Sequence, residues 1–266
     1  MVRRLSISLG ALALALGSLA FTEPAMAAGA THGTASPSAQ FQPGGLFKAA
    51  PGGARGAKVG NRVINYSTNW SGYAVTGGTF TTATASWIQN AGTCAKGDGS
   101  TDMSPWVGID GFSSSTVEQT GTSVDCSGAT KSYYAWYEMY PANVVVINKT
   151  VKAGDSFTGT VTHTSGTSYT LVLKDLTQGW TNSVTKSLSA ADSSAEAVME
   201  MAANHLTKFG TDPFTGFTVD GKAIGSYTAS QYTIEQMEIK VNSTLCDSTS
   251  SLTSKEDFTT TWLAAC

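Results

Sequence analysis

The sequence predicts an all-β domain, an antiparallel β-sandwich of two curved sheets, and three observations carry that expectation. Clusters of Gly, Asn, Asp or Ser punctuate the chain after Asn61 at intervals of about ten residues, the turn spacing of short paired strands. Between them lie runs rich in Thr, Val, Tyr, Trp and Phe, side chains that fit a pleated, half-buried surface. No stretch sustains a helical period over several turns, although a short helix is expected around Ala190.

In chain order the predicted strands are Trp70 to Val75, Thr81 to Gln89, Pro105 to Ile109, Ser132 to Tyr140, Ser156 to His163, Tyr169 to Leu176, Ala195 to Met201 and Tyr232 to Val241. Successive strand residues face opposite sides, so Tyr134, Trp136, Glu138 and Tyr140 share a face that carries an acid among aromatics. Glu196, Val198 and Glu200 likewise share a face opposite Ala195, Ala197, Met199 and Met201. The Ala and Met face reads as core, which turns both glutamates toward solvent or a groove.

The chain ends bound where the protein works. Arg3 and Arg4, an apolar run from Leu9 to Phe21 and the small-residue pattern Ala25-Met26-Ala27 predict a signal peptide over 1–27 and an extracellular, secreted product. The run is shorter than the ~20 apolar residues of a spanning helix. Residues 28–60 are rich in Gly, Ala, Pro and Ser, and their Lys48, Arg55 and Lys58 face no acidic residue of their own. This is expected to be a disordered basic leader, either a propeptide or a flexible spacer. Residues 61–266 form the predicted β-sandwich domain. They hold 11 Lys and Arg against 18 Asp and Glu, a net of -7 beside -3 for the whole chain. Such an acidic body argues against nucleic acid or an anionic membrane as partner. A monomer is expected.

Four cysteines follow the signal, and an even count in an oxidising compartment favours two disulfides. Three pairings are open; Cys94 with Cys126 and Cys246 with Cys266 are favoured because each closes a short loop.

Among chemistries, zinc hydrolysis lacks its H-E-x-x-H, and only His163 and His205 remain beyond the leader. No G-x-S-x-G elbow and no phosphate- or dinucleotide-binding glycine pattern is present. No metal or cofactor is called for. What remains is carboxylate and amide chemistry. Only 13 % of residues are charged, yet Glu138 and Glu196 sit in aromatic or apolar strands, where desolvation raises a carboxyl pKa and suits acid–base work.

Six segments, Asn69-Trp-Ser-Gly72, Trp106-Val-Gly-Ile-Asp-Gly111, Gln119-Thr-Gly121, Ala135-Trp-Tyr-Glu-Met-Tyr-Pro141, Ala153-Gly-Asp155 and Ser194-Ala-Glu196, follow the order and spacing of a known family. From about Asn69 to Val241 the chain resembles the eqolisin, or glutamic peptidase, family. The resemblance implies a β-sandwich with a substrate groove on its concave side, acid endopeptidase activity on protein or peptide substrates, and a catalytic pair carried by Gln119 and Glu196. By residue type and position, Trp106 and Trp136 are expected to wall that groove, and Glu138 and Asp110 to hydrogen-bond within it to orient the pair or the peptide. The sequence departs from the family where Ala197 and Met139 stand in place of frequent tryptophans, which bears on substrate preference. Glu200, one strand repeat on, shares the face of Glu196 and is the alternative to it.

In such a pair the carboxylate takes a proton from water and returns it to the leaving amine, while the carboxamide holds the water and donates N–H to the oxyanion. Charge asymmetry further suggests a leader held electrostatically at neutral pH and released on acidification. The rival readings are a glycoside hydrolase using Glu138 and Glu196, and a carbohydrate-binding module using the same aromatics without catalysis.

Overall fold

Runs of β-branched and aromatic residues broken at glycine turns build strand after strand with almost no helix. The computed structural model describes residues 45–51, 55–203 and 205–266. The predicted signal peptide and the leader as far as Gly44 lie outside the described residues. In chain order the strands are β1 (Arg55–Val59), β2 (Arg62–Ser67), β3 (Trp70–Thr76), β4 (Thr82–Ile88), β5 (Ser100–Ile109), β6 (Val117–Ser127), β7 (Thr130–Tyr140), β8 (Val145–Ile147) and β9 (Ser156–Ser165). They continue with β10 (Ser168–Asp175), β11 (Trp180–Ser187), β12 (Ser194–Glu200), β13 (Thr211–Val219), β14 (Lys222–Ala223), β15 (Thr233–Val241), β16 (Thr244–Thr249) and β17 (Phe258–Trp262).

Their pairing makes two sheets. The first runs β8-β7-β6-β5-β12-β3-β15-β2-β1, and the second runs β11-β10-β9-β4-β13-β17-β16. β16 pairs with both β15 and β17 and so joins the two at one edge. Every pairing named is antiparallel except β15 with β2. β4 lies over β5 and β12, and β9 and β10 lie over β6, so the sheets stack face to face as predicted.

The main core fills the space between them. Tyr73, Val107, Ile109, Ala197 and Met199 from the first sheet meet Trp87, Phe157, Leu171, Phe214 and Phe217 from the second. The other face of the first sheet carries a smaller cluster of its own, in which Trp70, Trp106, Tyr134, Trp136 and Val198 gather beneath Leu46 and Phe47. Strand alternation had separated these two faces correctly, for Ala195, Ala197, Met199 and Met201 lie in the core while Val198 lies among the tryptophans. Disulfides join Cys94 to Cys126 and Cys246 to Cys266, the pairing that short loops favour.

Two local expectations change. No helix forms at Ala190; Asp110 draws the amides of Ala191, Asp192 and Ser193 onto its carboxylate, so they are lost to a helical ladder. The single helical turn among the described residues is a 3-10 turn at Ile224–Ser226. Arg55–Val59, read as part of a disordered leader, is the edge strand β1 on β2. Its backbone extends the ladder, a gain that composition alone does not register.

Candidate active site

β5, β6, β7 and β12 lie side by side, and their register sets the site. Gly121 of β6 stands opposite both Trp106 of β5 and Trp136 of β7. A Cβ on Gly121 would lie 2.5 Å from Cβ of Trp106 and 2.9 Å from the Trp136 ring, so the absent side chain is what lets the two indoles stand there. Trp136 Nε1–H donates to Ser123 Oγ at 2.9 Å, and Trp106 meets Trp70 edge-on at 4.9 Å. Both predicted groove tryptophans are therefore on the outer face of the first sheet, packed among aromatics and fully buried.

One row further along, Gln119 of β6 faces Glu138 of β7, and Gln119 Nε2–H donates to Glu138 Oε2 at 2.9 Å. Burial first, and then the charge of Glu200, push the Glu138 carboxyl up to about 9, with the Gln119 bond working the other way. At acid pH Glu138 is thus neutral, and one of its oxygens accepts the Gln119 Nε2–H.

The two glutamates of β12 share a face but not an environment. Glu196 stands in the register row of Gln119, with Gly108 between them. It is fully buried, and neither carboxyl oxygen accepts a hydrogen bond of normal geometry, although the Ser194 hydroxyl lies close enough to interact. Burial, then Asp110 and Glu118, hold its pKa well above the usual carboxylate range, with Ser194 offsetting them in part. Glu200, at the end of the strand, instead accepts the Trp106 indole N–H on Oε2 at 2.9 Å and the backbone N–H of Gly45 on Oε1 at 3.1 Å. Asn69 Nδ2 approaches the same Oε1 at 3.5 Å. Asp102 of β5 accepts the amides of Ala202 and Ala203 at 2.8 Å each and thereby fixes the chain just beyond Glu200.

Asp110, expected to hydrogen-bond within the groove, is committed elsewhere. Its two oxygens accept the amides of Ala191, Asp192 and Ser193 and the Ser193 hydroxyl at 2.7 to 3.0 Å, which ties down the loop entering β12. With those lone pairs taken, it serves the loop rather than a peptide.

A family model described as the Peptidase A4 family matches residues 68–262, the stretch that forms nearly all of both sheets. The chain belongs to that family. This peptidase A4 chain is 35 % identical over 134 residues to scytalidopepsin B of Scytalidium lignicola, a match covering 50 % of this chain and 48 % of that one. It therefore spans about half the length of that relative. Aspergillopepsin-2 of Aspergillus niger is 30 % identical over 203 residues, covering 64 % of this chain and 71 % of its own. Among solved structures, scytalido-glutamic peptidase with a transition state analog inhibitor aligns at a TM-score of 0.62 and 24 % identity, over 74 % of this chain and 98 % of that one. Aspergilloglutamic peptidase from Aspergillus niger aligns at 0.50 and 29 % identity, over 61 % and 99 %.

In this A4 chain the carboxylates of Asp110, Glu118 and Asp192 approach within 4.8 Å of one another. Tyr169 donates its hydroxyl to Asp192 at 2.6 Å and His163 pairs with it at 2.7 Å, while Asp110 holds its loop. Glu118 is pushed up to about 9 by burial, Asp110 and Asp192. Asn69, Asp102 and Phe112 were given no role in the sequence reading. Asn69 stood in a quoted motif, but nothing local to Asp102 or Phe112 marks them, since their partners are distant in the chain.

Proposed function

We propose that this chain is a secreted endopeptidase acting at acid pH, with Gln119 and Glu200 as its catalytic pair. The observation that carries the choice of Glu200 is its pair of N–H donors, one from Trp106 and one from the peptide backbone at Gly45. N–H donors favour the ionised form of a carboxyl group, and this one already receives a peptide amide. Glu196, fully buried beside Asp110 and Glu118, has its pKa held well above the usual carboxylate range by that burial and those acids, which makes it the poorer base in acid.

The reaction then runs as a proton cycle. Glu200 takes a proton from water as the water oxygen attacks the scissile carbonyl carbon. The carbonyl oxygen becomes an oxyanion that accepts N–H from Gln119, whose carboxamide is held by neutral Glu138. Glu200 next gives its proton to the amide nitrogen as the C–N bond breaks. Gln119 bound to Glu138 leaves no open pair of carboxylates of the kind a glycoside hydrolase would build from Glu138 and Glu196. The relatives scytalidopepsin B and aspergillopepsin-2, and a solved glutamic peptidase holding a peptide-based transition state analog, agree with this reading.

Incubation of the full chain with a denatured protein from pH 2 to 8, with pepstatin present to silence contaminating aspartic peptidases, tests it. Cleavage confined to acid pH is expected. Absence of cleavage throughout, or cleavage that rises toward neutrality, contradicts it.

A further inference from the structure

Residues 45–50 lie over the tryptophan-lined face, touching the body of the protein through a single bridge between Ala49 and Ser67 and through backbone groups of Gly45, Leu46, Phe47, Lys48 and Ala50. The Gly45 N–H reaches Glu200 at 3.1 Å. The side chain of Asn69 spans the next stretch, donating Nδ2–H to the Leu46 carbonyl at 2.9 Å and accepting the Lys48 N–H on Oδ1 at 3.0 Å. Between those two, the Phe47 N–H donates to the Gly111 carbonyl at 3.1 Å. The Lys48 carbonyl accepts the Thr68 N–H at 2.8 Å and the Ser67 hydroxyl at 2.9 Å, and the Ala50 N–H reaches the Tyr66 carbonyl at 2.9 Å.

All of these contacts are to main-chain atoms, so they would hold any extended peptide. Leu46 and Phe47 both pack on the tryptophan cluster, and Phe47 makes the ring contacts. The Phe47 ring sits 4.6 Å from Phe112 and 5.9 Å, edge-on, from Trp70. Main-chain hydrogen bonds for affinity and a pocket for one side chain are the two parts of peptide capture by strand addition.

We propose that the track held by Gly45 to Ala50 is where substrate peptides bind on one flank of Glu200, and that Trp70 and Phe112 form a subsite selective for an aromatic or large aliphatic side chain. The proposal rests on the peptidase reading. The chain's own segment occupies the track as a substrate would, with Asn69 and the Gly111 carbonyl setting the strand and Phe112 reading the side chain. Phe112 lies just outside the segments that carry the family resemblance, so the selectivity belongs to this chain.

Two measurements test it. Cleavage sites in a denatured protein digested at acid pH are mapped for the full chain and for Phe112→Ala. Enrichment of Phe, Tyr, Leu or Met at one fixed position, falling by about tenfold in the variant, is expected from the worth of one buried apolar side chain. Cleavage with no such enrichment, or with enrichment unchanged by the variant, overturns the subsite while leaving the peptidase reading intact. Total absence of cleavage sinks the peptidase reading, and the second measurement then still judges the track. Fluorescein-labelled Gly-Leu-Phe-Lys-Ala-Ala and Gly-Leu-Ala-Lys-Ala-Ala are titrated against the full chain carrying Leu46→Ala and Phe47→Ala. The tethered segment competes equally with both, so their ratio is the readout. About tenfold tighter binding of the Phe peptide supports the track; equal binding, or none, overturns it.

Discussion

Glu196 and Glu200 show what a strand pattern can and cannot decide. Alternation places both on the tryptophan side of β12, and that was legible from sequence. Which of them could serve as base depends on donors that come from elsewhere: the Trp106 indole, reaching one strand repeat along, and the Gly45 amide, 155 residues away in the chain. Family order pointed to the glutamate nearest the Ser-Ala-Glu segment; hydrogen bonding points to its neighbour. Gln119 and Glu138, by contrast, were both named in advance, and their contact follows directly from the β6–β7 register. Two outcomes follow at this scale. Gln119→Ala should lower kcat by roughly 10²- to 10³-fold, the cost of losing one oxyanion donor, with KM for a peptide changed far less. Trp106→Phe keeps the ring but removes the N–H that stabilises the Glu200 carboxylate, so the acid limb of the kcat/KM profile should move to higher pH; an unmoved limb would separate Trp106 from the base.

At the scale of elements, the eight strands named from β-branched and aromatic runs all form, while nine others, β6 among them, were not named. The residues of β6 mix Gly, Thr, Ser and Asp, yet ten of its eleven positions are buried, because it is covered on both faces and polar side chains find partners there. Burial on two faces erases the alternation that marks a strand with one wet side. Gly121 within it is where element and site meet. Gly121→Ala pushes a methyl against Cβ of Trp106 and the Pro105 carbonyl, each 2.5 Å away, and is expected to cost about 1–3 kcal/mol, read as a Tm lowered by roughly 2–10 °C. The leader segment tests a second expectation. Lys48 is exposed and makes no ion pair among the described residues, and the contacts of residues 45–50 are backbone hydrogen bonds and ring packing. Added salt at neutral pH should therefore leave maturation unaccelerated, followed by gel mobility over time; faster processing in salt would restore the electrostatic account.

Across the whole molecule, buried acids outnumber anything that could neutralise them. Among the described residues one ion pair forms, His163 with Asp192. Burial raises Asp102, Glu196 and Asp212 well above their ordinary range, carries Glu118 and Glu138 to about 9, and takes Asp125 and Asp247 to about 7. Each such carboxyl binds its proton more tightly in the folded chain than in the unfolded one. Its contribution is therefore complete below the unfolded pKa near 4 and is lost as pH rises through the folded value. A Tm measured on Glu200→Gln, to prevent self-digestion, should be highest near pH 3–4 and fall through pH 7 toward 9; a maximum near neutrality would contradict this. Composition disclosed the acid excess, but not that so many of the acids are inside, because burial is set by how the two sheets stack.

On the proposed reading Glu200, held by the Trp106 N–H, does the chemistry with Gln119, which Glu138 positions, while Glu196 is a buried neutral acid. Comparing the kcat of Glu200→Gln with that of Glu196→Gln on one peptide at acid pH tests it most directly. The account predicts a loss on the order of 10³-fold or more for Glu200→Gln and a change of less than about tenfold for Glu196→Gln, a swap of one neutral side chain for another. The reverse order, with Glu196→Gln inactive and Glu200→Gln active, would contradict it and return the catalytic role to Glu196.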